Sequence, residues 1–190
     1  MAATDPFRTV ENHPIPADIL AQSELRALTK KTIQLEPPEP VYTLFNTTRK
    51  DLPEVIFVNE ALLSFEHLDI FPWHLSIEID YTNFADNEMP SQEESELLNT
   101  ICDRIEPAVL DAKTEFGAVN ALFLARSTWA GIRELAFQVH DPEIAHQALQ
   151  SLLQTTEWER HWQYEMRDDP TWQDAGYFFK LFPQAKGNDS

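Results

Sequence analysis

Four residues carry the side chains of a metal or acid–base site: His74, Glu78, His140 and Glu165. His74, Ser76, Glu78 and Asp80 alternate with Trp73, Leu75, Ile77 and Ile79. A strand through them puts the imidazole and both carboxylates on one face and the apolar side chains on the other. His140, His161 and Glu165 fall in the same phase of the strands expected at Ile132 to His140 and His161 to Arg167. Imidazoles and carboxylates on neighbouring strands are ligands for zinc or manganese, or the partners of an acid–base pair. The residues are scattered and follow no His-x-x-x-His spacing, so the pattern equally describes a solvated, dimeric or covered sheet face. It supports the second of two functional readings, a metal-dependent hydrolase or small-ligand binder using a polar open sheet face.

Other chemistry is sparse. Arg167-Asp168-Asp169-Pro170-Thr171-Trp172 places two carboxylates side by side, and adjacent carboxylates can share a proton or hold a cation. Adjacent strand residues point different ways, however, and Asp-Pro is good helix-start chemistry. The expectation is therefore a cap at Asp168 or Asp169, with Trp172 packed on the core. The single cysteine, Cys102, falls among Leu97, Leu98, Ile101 and Ile105 in a helical pattern, which suits a buried thiol. Four glycines weigh against a phosphate-cradling loop, and no Gly-x-Ser-x-Gly elbow surrounds Ser127. No catalytic motif stands out, and a non-enzymatic role with no cofactor is expected.

Charge is the stronger signal. The chain holds 32 acidic and 14 basic residues, a formal net charge of −18. That field repels nucleic-acid phosphate and anionic lipid and attracts a basic protein surface. Residues 88–115 hold eight acids against Arg104 and Lys113. Within them, Glu93, Glu94, Glu96 and Asp103 are the expected contacts of a basic protein partner, with steering that salt would weaken. The leading reading is thus an acidic binding or regulatory module, inhibitor-like or immunity-like. A homodimer pairing sheet faces is a third reading. There is no apolar run of a signal peptide or of a membrane span of about 20 residues, so a cytoplasmic protein without a membrane partner is expected.

The positioning elements follow from the period of the apolar residues. Residues 1–40 read as a proline-rich arm with a short amphipathic helix over Ala17 to Lys31. Two β-rich runs across 41–59 read as a hairpin. Beyond residue 71 come a strand at Trp73, a helix capped by Ser91 with Glu94 at the capping-box position, and two strands joined at Trp129-Ala130-Gly131. A helix capped by Asp141 with Pro142 at its first position and a strand ending at Arg167 complete the order β-α-β-β-α-β. The expected architecture is α+β: a ferredoxin-like βαββαβ antiparallel sheet, helices on one face, extended by the N-terminal helix and hairpin. The core would span 71–183 within a domain of 41–183, followed by a disordered tail at 184–190.

Several of these segments resemble the bacterial family called domain of unknown function 695. The likeness rests on Phe71-Pro72-Trp73, Phe116-Gly117, the hairpin Trp129-Ala130-Gly131-Ile132-Arg133-Glu134, and Asp168-Asp169-Pro170-Thr171-Trp172 with Phe182-Pro183. The usual tyrosine after the Asp-Pro-x-Trp element is replaced by Ala175-Gly176-Tyr177. The family implies a fold and no settled activity. A similar arrangement belongs to the regulators of ribonuclease E activity B, small acidic inhibitors, which implies a comparable binding role by fold analogy alone.

Overall fold

The computed structural model describes residues 36–155 and 157–183. The helix expected over Ala17 to Lys31, the arm before residue 36 and the tail from 184 lie outside them. Strands β1 (Tyr42–Arg49) and β2 (Leu52–Asn59) form the expected hairpin. Its two-residue turn places Lys50 and Asp51 at φ 50° and 66°. Both are left-handed, the conformation whose twist matches paired strands. After two short 3₁₀ turns (Glu60–Ser64 and Leu68–Ile70) come β3 (Trp73–Asp80), α1 (Gln92–Leu110), β4 (Ala121–Trp129), β5 (Ile132–Val139), α2 (Pro142–Thr155), β6 (Trp162–Asp168) and α3 (Gly176–Phe179). Ala130 and Gly131 make a second left-handed turn between β4 and β5.

The strands form one antiparallel sheet in the order β1-β2-β4-β5-β3-β6. It has six strands where four were expected in the core sheet, because the hairpin pairs with β4 and buries Ile56 and Val58 there. β3 lies between β5 and β6, as the element order implies.

Helix α1 begins as its sequence dictates. Ser91 accepts from the backbone N–H of Glu94 at 3.2 Å, and Asp141 Oδ1 caps the N–H of Glu143 at the start of α2. Pro107 is accommodated inside the last turn of α1, where Asp111 N–H donates to its carbonyl. Leu98, Ile101, Cys102, Ile105 and Val109 of α1, with Ala145 and Leu149 of α2, pack on Leu75, Ile77, Ile79 and Phe137.

A second core occupies the opposite face, which was expected to be open. Ile56, Val58, Leu124 and Ala136 are covered there by Leu62, Phe71, Trp172, Phe178 and Phe182. The covering chain comes from the 3₁₀ turns and the C-terminal segment, since apolar side chains on both faces need burial. A bulge between Phe123 and Ala125 accompanies the change: Leu124 and Ala125 both join this second core. The end of the face nearer the β4–β5 turn stays partly exposed, including Glu78, Glu134 and Glu165.

Candidate functional site

The four residues proposed for a metal site do share one face, and the fold does not gather them. Glu78 accepts from Gln163 Nε2 at 3.0 Å, and Glu165 pairs with Arg167 at 3.3 Å. His140 Nδ1 is 2.6 Å from the Ile70 carbonyl, with its ring edge-on to Phe71. Only His74 enters a cluster, and its companions are different. One ligand atom each from His74, Asp169 and Asp174 lie within 4.8 Å of one another, a group formed among the described residues. The sheet supplies His74 from β3, and the chain returning after β6 supplies both carboxylates.

That return is built on the Asp-Pro-x-Trp element. Asp169 N–H donates to the Pro72 carbonyl at 2.6 Å, docking the chain on the start of β3. Its carboxylate then accepts from Gln173 N–H at 2.7 Å and Asp174 N–H at 3.0 Å; this braces the turn that follows and is not the expected helix cap, since α3 begins only at Gly176 with Ala175 at its N-cap. Trp172 is buried and donates to the Phe71 carbonyl at 2.9 Å. Tyr177 follows on the same return: its hydroxyl donates to buried Glu54, which also accepts from Ser127 at 2.7 Å. Burial, then the Glu54 hydrogen bond and charge, push the Tyr177 hydroxyl up to about 12.

Around His74 the polar groups are incompletely partnered. It is 2% exposed, and its Nδ1 has no hydrogen-bond partner among the described residues. Gln138, directly across on β5 and 0% exposed, has neither amide atom partnered among the described residues. Burial holds the His74 imidazole below its usual range, against the opposing pull of Asp174 and Asp169. The neutral ring is the form that ligates metals. Arg167 approaches Asp174 at 3.5 Å.

The acidic residues of α1 divide. Glu93, Glu96 and Asp103 are exposed, whereas Glu94 is 1% exposed and belongs to the interior. Arg160 grips it with two bonds, Nε to Oε1 at 2.7 Å and a terminal nitrogen to Oε2 at 2.6 Å. Asn83 Nδ2 and Thr82 N–H donate to the same carboxylate. Glu94 therefore leaves the docking set, and it does not complete a capping box, since Ser91 N–H donates to the Asn83 carbonyl instead. At about 100° per residue, Glu94 falls with Leu98, Ile101 and Ile105 on the inward stripe, and that signal was legible. Glu93, Glu96, Thr100 and Asp103 fall within one outward stripe, and all four are exposed. Among the described residues none of the three acids is in an ion pair. The neighbouring cations are committed, Arg104 to Glu159 and Arg160 to Glu94.

No helix among the described residues is long and apolar enough to cross a membrane. No curated protein and no solved structure matches the chain, and the fold analogy to the ribonuclease regulators gains no support from them. A family model does match, over residues 42–181, taking in the β1–β2 hairpin and the segments that carry the resemblance from Phe71 to Trp172, while Phe182-Pro183 lies just beyond it. The chain belongs to this Family of unknown function (DUF695).

Proposed function

We propose that the chain is a non-enzymatic binding module that engages a basic protein through the outward stripe of α1. The observation that carries this is the stripe itself: three exposed carboxylates, with the nearby arginines already spent on other acids. We read the inner β3-α1-β4-β5-α2-β6 unit as a ferredoxin-like platform that presents this helix. A net charge of −18 steers a basic surface toward it, and the attraction decays over about 8–10 Å at physiological salt. Inhibition of a nuclease or neutralisation of a basic toxin suits such a surface.

Reversing Glu93, Glu96 and Asp103 to lysine should abolish salt-sensitive capture of a basic protein. Exposed positions of this kind change stability by only about 0.5 kcal/mol each, so the triple variant should melt within a few degrees of the parent. The check is affinity capture from a cell lysate at low and high salt, with both proteins as bait. Recovery of the same basic protein by the triple variant would refute the docking face.

A further inference from the structure

We propose that His74, Asp169 and Asp174 bind one first-row divalent metal ion, zinc in preference to manganese, which fastens the C-terminal segment to the sheet. The ligand set is one imidazole nitrogen and two carboxylate oxygens, hard and borderline donors suited to either ion, and zinc stands higher in the affinity order. Ligands on one tetrahedral zinc sit roughly 3.3 Å apart for bonds of about 2.05 Å. Donors already within 4.8 Å of each other need close by only side-chain adjustment.

Two further observations point into this place. His74 Nδ1 has no partner among the described residues, nor have the amide atoms of Gln138, the residue across from His74 on β5, and buried polar groups left so cost free energy unless something completes them. Among the described residues the carboxylates also exceed the cations: Asp169 is 6% exposed, and the guanidinium of Arg167 reaches Asp174 only at 3.5 Å. A divalent ion offsets that charge. Bracing the turn does not compete with ligation, because each Asp169 oxygen accepts one backbone N–H and keeps a second lone pair.

Three protein donors leave the fourth position of a tetrahedral ion to water, and the role we assign to the ion is to join chain segments. Its donors come from β3 and from the segment after β6, so an ion joins two parts of the chain far apart in sequence. Metal binding then adds directly to the stability of the docked segment.

The test uses the untagged full chain, stripped by chelator and titrated with zinc chloride alone in a calorimeter. One ion should bind per chain, the melting temperature should climb with zinc concentration, and the His74 imidazole ¹⁵N resonances should shift. Asp174→Asn keeps the side chain's size and the backbone bond to Asp169, so it should fold and bind zinc at least ~100-fold more weakly. Arg167→Gln, which removes the competing cation, should bind more tightly. Failure of the parent chain to bind zinc overturns the proposal. Undiminished affinity in Asp174→Asn overturns it too, by assigning the zinc to surface acids.

Discussion

Arg160→Ala should destabilise the fold by about 3 kcal/mol at neutral pH, because it strands a buried carboxylate. Glu94 is fully enclosed, and among the described residues Arg160 supplies its only full charge partner in a two-bond grip. The bonds from Asn83 and Thr82 remain but carry no compensating charge. Arg160 holds the Glu94 carboxyl below the usual glutamate range, outweighing the upward push of burial. A depressed folded-state value contributes stability that is present above the unfolded value, about 4.3, and is lost as pH falls through the folded one. Without Arg160 the largest downward cause is gone. Burial is then opposed only by the Thr82 and Asn83 hydrogen bonds, so the carboxyl rises from its parent value and the stability it contributes above the unfolded value shrinks. The gap between parent and variant should therefore be largest near pH 7 and shrink below about pH 4. Urea titrations across that range measure it, and a constant gap would mean that Arg160 acts through packing alone. Glu94→Lys should be worse still, unlike the same change at Glu93.

Trp172→Ala should cost about 3–5 kcal/mol, the loss expected for deleting a buried tryptophan. Its ring stacks on Phe65 at 5.7 Å, and its indole N–H donates to the carbonyls of Phe71 and Leu68. One side chain thus ties the segment after β6 to the chain before β3. The result should be one cooperative transition at lower denaturant, because the second core joins Trp172 to Ile56 and Leu124 of the sheet. Trp172→Phe keeps most of the ring and loses the donor, so it should cost nearer 1–2 kcal/mol. An unchanged midpoint in Trp172→Ala would show that the covering segment contributes little to global stability.

These two residues also mark where sequence reasoning reached and where it stopped. Alternation at Trp73 to Asp80, the Ser91 and Asp141 caps and the tight hairpins made the element order legible, since each is a local preference. The inward Trp172 was legible for the same reason, whereas Asp169 braces a turn where a helix cap was expected. The covering of the second face was not, because nothing local to Leu62, Phe71 or Phe178 states which surface they will meet. That tertiary return brings Asp169 and Asp174 to His74, and it replaces the expected grouping with Glu78, His140 and Glu165. Glu94 was a different case. Its place on the apolar stripe was readable, yet the charge total drew it into the acidic surface, and the half-buried cation that explains it lies 66 residues away.

Chemical-shift mapping of the ¹⁵N-labelled chain against its salt-eluted basic partner tests the binding face most directly. The amides of residues 92–104 should move together, in step with Glu93, Glu96 and Asp103, and the movement should fade as salt is raised. Shifts confined to the exposed Tyr42 and Leu44 of the hairpin, with α1 unmoved, would contradict it.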